Sequence, residues 1–186
     1  MRRAAYVLVG GRSSRMGFDK ALLPWGSATL VERIAREALA AAGSVTLVGA
    51  PERYEYLGYP TLADIEADRG PLAGIVAALT ASPAEWNLIV ACDMPNVSAE
   101  LLETLFATAE TDGAAVDCVA PVHDAGTEPL CAVYHRRALP ALRAALDGNR
   151  LKMQTVVRNL ITLFWRVDDP RRFKNVNTPE EWVAHG

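Results

Sequence analysis

The sequence is poor in the residues from which most metal and covalent centres are built. Its 186 residues include only three cysteines and three histidines. Cys92, Cys118 and Cys131 are far apart, odd in number, and form no CxxC or Cys/His cluster. That excludes a recognisable zinc site, disfavours a disulfide framework and fits a reducing compartment. His123, His135 and His185 have no partner at metal or triad spacing and receive no role. No apolar stretch is long enough to span a bilayer. The run Ala4–Val9 behind Arg2 and Arg3 is too brief for a secretory signal and leads straight into glycines, so it reads as a buried strand. A net charge of −3 gives no global attraction for nucleic acid or an acidic membrane, so affinity for a polyanion must come from local charge. The expectation is a cytoplasmic protein that binds neither nucleic acid nor membrane.

What the chain does have is apolar material in a regular order. Hydrophobic residues make up 51% and charged residues 22%, which rules out disorder and supplies a core for one domain, residues 1–186. Ala4–Val9 predicts a first strand. Thr29 to Ala42 predicts a helix with a Thr29/Glu32 capping box, Leu30, Ile34 and Ala38 on one face and Gly43 at its end. Ser44–Val48 predicts a strand, Pro71–Ala81 a helix, and Trp86–Ala91 a strand apolar enough to be buried on both faces. Ser98 caps a helix that turns Leu101, Leu102, Leu105 and Phe106 inward. Cys118–Pro121, Pro129–His135 and Ile161–Arg166 predict further strands. Arg137–Leu146 and Lys152–Asn159 predict helices, and Thr178-Pro179-Glu180-Glu181 a last helix start. The tryptophans Trp25, Trp86, Trp165 and Trp182 are assigned to the core. This alternation implies an α/β fold: a mostly parallel sheet with helices on both faces.

Four segments carry chemistry. Gly10-Gly11-Arg12-Ser13-Ser14-Arg15-Met16-Gly17-Phe18-Asp19-Lys20 follows the first strand, where open α/β sheets bind ligands. Glycines let backbone N–H groups approach phosphate oxygens, and Arg12, Arg15 and Lys20 add positive charge. The spacing fits neither GxxxxGK[ST] nor GxGxxG, so this is a phosphate loop of another kind. Asp93, in Ala91-Cys92-Asp93-Met94-Pro95, ends the apolar strand where a carboxylate can hold Mg2+ beside triphosphate oxygens; the same Asp-x-Pro also suits a plain turn. Asp64 precedes Gly70-Pro71-Leu72-Ala73-Gly74, a helix start without bulk that suits a flat ligand or close helix–strand packing. Asn175 and Asn177 alternate onto one face of an extended segment, where their carboxamides can serve a heteroaromatic ligand or a turn and cap before Thr178.

In this order, along essentially the whole chain, the four segments resemble the molybdenum cofactor guanylyltransferase family. Val7–Lys20 is similar to its nucleotide loop, a feature of a wider nucleotidyltransferase superfamily; Gly70–Gly74, Cys92–Pro95 and Asn175–Glu181 are similar to its later signatures. The resemblance implies a Rossmann-like nucleotide-binding domain, GTP as donor, Mg2+ as cofactor and the phosphate of Mo-molybdopterin as acceptor, with other cofactor-biosynthesis proteins and recipient molybdoenzymes as partners. It implies that Leu8, Val9 and Gly10 line the guanine and ribose, that Lys20 contacts phosphate, and that Asp64 contacts the nucleotide. It further implies that Asp93 binds nucleotide and metal, and that Arg15, Asn175 and Asn177 hold the pterin or orient phosphates; Arg15, Lys20 and Asp93 form the catalytic set. The chain departs from the family at Val9, usually alanine, and at Gly49, often a nucleotide-binding asparagine. The alternatives are a cytidylyltransferase or sugar-phosphate nucleotidyltransferase on the same loop, or a non-catalytic nucleotide or pterin carrier.

Overall fold

The computed structural model describes residues 2–9, 19–64, 66, 69–112 and 114–176. Gly10, Arg15, Asn177, Trp182 and the expected helix start at Thr178 lie outside the described residues. Strands are β1 (Arg3–Leu8), the pair β2 (Pro24–Trp25) and β3 (Ala28–Thr29), β4 (Val45–Gly49), β5 (Thr61–Ala63) and β6 (Trp86–Ala91). They continue as β7 (Cys118–His123), β8 (Gly126–Thr127), β9 (Cys131–His135) and β10 (Thr162–Arg166). Helices are α1 (Leu30–Ala42), α2 (Pro51–Tyr54), α3 (Pro71–Ala81), α4 (Ala99–Asp112), α5 (Leu139–Asp147) and α6 (Met153–Arg158).

The main sheet runs β10-β7-β9-β6-β1-β4-β5, with β8 paired to β7. Its β6-β1-β4-β5 half is parallel throughout. In the other half β9 lies antiparallel between β6 and β7, and β10 is parallel to β7. Strand alternation separates two cores. Ala5, Val7 and Val9 of the first strand face Val31, Ile34 and Ala38 of α1, and α4 adds Leu101, Leu102, Leu105 and Phe106 to the same cluster. Ala4 and Tyr6 face the other way, toward Leu72, Ile75 and Leu79 of α3, with Leu142 of α5 and Val156 and Val157 of α6. Central strands covered on both faces by helices bury nearly every residue, which is why Trp86–Ala91 reads as a continuous apolar run.

The one polar residue inside that run is satisfied. Asn87 is fully buried; its amide meets Ser82 Oγ and donates to the carbonyls of Ala84, Glu85 and Tyr134. At the amino end of β1, Arg3 forms a two-pronged pair with Glu110 of α4, Nε–Oε1 2.8 Å and Nη2–Oε2 2.6 Å, tying strand to helix. The tryptophan assignment needs correction. Trp86 is buried, whereas Trp25 on the short β2 and Trp165 on the edge strand β10 are only partly covered, because a hairpin arm and a sheet edge pack on one side only.

Helix α1 starts as the sequence predicts. Thr29 Oγ1 accepts the N–H of Glu32 at 3.4 Å, Glu32 Oε2 accepts the N–H of Thr29 at 2.8 Å, and Gly43 closes the helix in the left-handed region at φ 75°. Thr29→Ala removes one half of that exchange and should lower unfolding free energy by about 1 kcal/mol in urea titration; an unchanged midpoint would mean that packing against β1 alone fixes the helix start.

Candidate active site

The carboxyl ends of β1 and β6 lie side by side. Leu8 is in register with Ala91, and the N–H of Cys92 donates to the carbonyl of Leu8 at 3.2 Å. On the other side of β1, the N–H of Val9 donates to Val48 O at 2.9 Å, and that of Asp64 to Gly49 O at 3.3 Å. Leu8, Val9, Asp64 and Asp93 therefore share one edge of the sheet, the edge at which open α/β sheets bind ligands. Helix α3 presses on it through Gly74: a Cβ there would sit 3.1 Å from Leu8 Cδ2 and 3.5 Å from Asp64 Oδ2. The small residue thus serves close helix–strand packing and also brings Leu8 beside Asp64. Val9 and Gly49 prove to be one feature. A Cβ on Gly49 would lie 2.5 Å from Val9 O and 2.7 Å from Val9 Cγ2, so no side chain, asparagine included, fits at position 49 on this backbone.

Lys20 opens a tight turn, Lys20–Leu22, whose cap is Asp19. Asp19 Oδ1 accepts the N–H of Ala21 at 3.2 Å; Oδ2 accepts the hydroxyl of Tyr54 at 2.8 Å and pairs with Arg53 at 3.0 Å. Tyr54 is fully buried, and burial followed by the neighbouring Asp19 holds its phenol far above the usual range, so it acts as a fixed hydrogen-bond donor. Nothing in the sequence links residues 53 and 54 to residue 19; only the packing of α2 against the loop end does so.

Asp93 leaves β6 in a turn anchored by buried Met94 and Val97, whose N–H donates to Met94 O at 3.2 Å. Burial raises the Asp93 carboxyl above the ordinary range, while its own backbone amide and the Lys20 charge pull it down. That coupling brings Lys20 and Asp93 within electrostatic reach of each other. Asp93 Oδ1 is shut off from solvent and has no hydrogen-bond partner among the described residues, and the same holds for Asn175 Oδ1. The two are linked through the main chain, because the N–H of Val176 donates to Asp93 O at 2.9 Å. The late Asn175 segment is thereby brought to the same edge. Burial likewise raises Asp64, with its bond to the Glu66 amide opposing.

Sequence reasoning overlooked a further pair. His123, given no role, meets Glu128 across the β7–β8 turn, Nε2–Oε1 2.8 Å, and stacks on Phe173 with ring centroids 5.8 Å apart. The pair is spaced by a hairpin rather than by a helix or metal motif, so no spacing rule flags it.

A family model described as the MobA-like NTP transferase domain matches residues 5–163, which include the whole sheet edge apart from the Asn175 segment. The chain belongs to that family. A probable molybdenum cofactor guanylyltransferase of Flavobacterium johnsoniae is 32% identical over 178 residues, 95% of this chain and 92% of the relative. The crystal structure of molybdopterin-guanine dinucleotide biosynthesis protein A from Archaeoglobus fulgidus superposes with a TM-score of 0.82 at 27% identity, covering 98% of this chain and 96% of that one. Mycobacterium tuberculosis Rv0371c, solved in complex with manganese, shares the fold at a TM-score of 0.71 and 19% identity, covering 100% of this chain and 98% of that one.

Among the described residues no group of three or more His, Cys, Asp or Glu side chains could hold a metal ion. A hard divalent cation of the Mg2+ kind takes one or two carboxylates and completes its shell with water and substrate phosphates. The unpartnered Asp93 Oδ1 is the atom that fits such an ion. Its buried charge has a consequence for stability without ligand. A carboxyl raised on folding destabilises the native state above the ordinary carboxylate range, and the penalty disappears as pH falls through the raised value. In metal-free buffer Asp93→Asn should therefore melt above the parent near neutral pH, with the gap narrowing on acidification. Calorimetry across pH checks this, and a variant that melts lower at neutral pH would show the carboxylate to be stabilising as it stands.

Proposed function

We propose that this chain transfers GMP from GTP to the terminal phosphate of Mo-molybdopterin, giving the molybdopterin guanine dinucleotide cofactor and pyrophosphate. The observation that carries the reading is the buried, unpartnered Asp93 oxygen beside Lys20, on the sheet edge that the family's nucleotide loop enters. The Flavobacterium relative's name speaks of guanylyl transfer and the Archaeoglobus protein's of molybdopterin-guanine dinucleotide, which supports this choice of donor and acceptor. Residues 1–186 act as one nucleotidyltransferase unit in the cytoplasm, and other cofactor-biosynthesis proteins and recipient molybdoenzymes are its partners. No described helix is long and apolar enough to cross a membrane.

In the proposed reaction a terminal phosphate oxygen of the acceptor forms a bond to the α-phosphorus of GTP. The bond from that phosphorus to the bridging oxygen breaks, and pyrophosphate leaves with the electron pair. A phosphate monoester has a second pKa of about 6, so the nucleophile is ionised without a base from the protein. The protein's task is to let two anions meet. Lys20 and Arg15, with backbone N–H groups of the loop from Gly10, would neutralise the triphosphate. Asp93 would hold Mg2+, which supplies further positive charge to the phosphates. Leu8 and Val9 would line the guanine and ribose, Asp64 would contact the nucleotide, and Asn175 and Asn177 would hold the acceptor. The base has backbone groups at the β1 and α3 ends to read its edge, and an unpaired polar edge of the wrong base is costly to bury.

Pyrophosphate release from each of four nucleoside triphosphates, with and without molybdopterin, tests this directly. The expected result is release from GTP only when acceptor is present. Lys20→Ala, folded as the parent is, should lose roughly 10²-fold or more in kcat/KM through one missing charge-assisted contact. Equal specificity constants for CTP and GTP would promote the cytidylyltransferase alternative, and binding of both substrates without turnover would promote a carrier.

A further inference from the structure

Glu128 is a half-buried charge near Asp93 that the proposed reaction leaves unused, and both its backbone and its side chain are fixed. Its N–H donates to Pro121 O at 2.9 Å and its carbonyl accepts the N–H of Cys131 at 3.1 Å. The preceding Thr127 is gripped by Gln154 of α6, whose Nε2 donates to Thr127 O at 2.6 Å while its Oε1 meets the Thr127 hydroxyl. The side chain is fixed by His123. The N–H of Ala125 donates to His123 Nδ1 at 3.2 Å, which puts the ring proton on Nε2, and Nε2 donates to Glu128 Oε1 at 2.8 Å. The ring is in turn backed by Phe173, two residues before Asn175. Among the described residues, Oε2 of Glu128 receives no hydrogen bond.

The position is electrostatically adverse for an enzyme of phosphates. Burial raises the Glu128 carboxyl, the His123 hydrogen bond opposes that rise, and the charge of Asp93 adds a smaller push upward. A second carboxylate there repels any phosphate brought to Asp93. A neutral ligand group that donates hydrogen bonds suits the free side of this carboxylate better than a phosphate does. Glu128 lies before β9, on the β9–β7 side of Asp93, whereas Leu8, Val9 and Asp64 stand on the β1–β4–β5 side. Asn175, whose buried Oδ1 also lacks a donor, belongs to the segment behind the Phe173 stack. Among the described residues, the buried Asn175 Oδ1 without a donor and the half-buried Glu128 carboxylate therefore sit away from the nucleotide side. The pterin ring of the acceptor carries a ring N–H and an exocyclic amine next to each other, the donor pattern that a carboxylate accepts.

We propose that Glu128, oriented by His123, is an acceptor-recognition residue that takes hydrogen bonds from the N–H edge of the pterin ring. This rests on the reading of the chain as a molybdopterin guanylyltransferase. Glu128→Gln keeps an oxygen for the His123 N–H and replaces the other oxygen with an amine, which opposes the pterin donors. Binding of metal-free molybdopterin, followed by its own fluorescence, should weaken roughly 10-fold or more, with GTP KM, the Mg2+ half-saturation point and the melting temperature unchanged. Glu128→Asp keeps the charge facing Asp93 but draws it back by one methylene, and should also weaken binding of molybdopterin. Molybdopterin affinity equal to the parent's in either folded variant overturns the proposal, and so does a shifted Mg2+ requirement with acceptor affinity intact, which would make Glu128 a metal ligand. The parent chain is measured first: if it neither binds molybdopterin nor releases pyrophosphate with it, the functional reading fails before the variants are compared.

Discussion

The pairing of β1 with β6 is the constraint on which the site depends. It runs in register from Arg3–Trp86 to Leu8–Ala91 and is extended by the bond from Cys92 N–H to Leu8 O. Both strands are buried on both faces, so neither end can shift without disturbing two cores. One strand end delivers the chain to the glycine and arginine loop; the other delivers Asp93. An ionised carboxylate oxygen left unpaired in a buried place costs several kcal/mol, a sizeable fraction of the 5–15 kcal/mol that holds a domain folded. The rigid frame tolerates that cost, and a cation bound there would relieve it. Lys20 cannot do so alone, because burial outweighs its pull on Asp93.

Around this pair the sheet has two unlike halves. The parallel half, β1, β4 and β5, carries Leu8, Val9 and Asp64, with Gly74 of α3 pressed against them. The half that contains antiparallel β9 carries Glu128 and His123, and the chain returns beside it to place Asn175 and Val176 against Asp93. Asp93 lies between them. Under the proposed function, this division would put one anionic substrate on each side of Asp93. The clamp on Asp19 by Tyr54 and Arg53 adds to it: two donors engage the acid next to Lys20.

The parts of this that the sequence reveals are the local ones. The capping box at Thr29, the apolar run of β6 and the helix start at Gly70-Pro71 are each written within a few adjacent residues, and each forms as read. The family's spaced motifs likewise place Lys20, Asp64, Asp93 and Asn175 in order along the chain, and the structure brings Asp64 and Asp93 to one edge with Lys20 and Asn175 in reach. Features that depend on pairing between distant segments are silent in one dimension. β5 is three residues long and is a strand only because β4 offers it an edge. Tyr54 looks like any aromatic until α2 carries it to Asp19. Gly49 reads as a missing asparagine, and only its closeness to Val9 shows that no side chain fits. His123 and Glu128 meet through a tight turn that no metal or triad spacing describes.

The central claim is that the buried Asp93 oxygen exists to take a metal-bound nucleotide. A crystal structure of this chain with GTP and Mn2+, recorded for the anomalous signal of manganese, tests it most directly. The account predicts an anomalous peak at coordination distance, about 2.0–2.2 Å, from Asp93 Oδ1 and shared with phosphate oxygens. GTP bound with its metal elsewhere, and Oδ1 still without a partner, would contradict it.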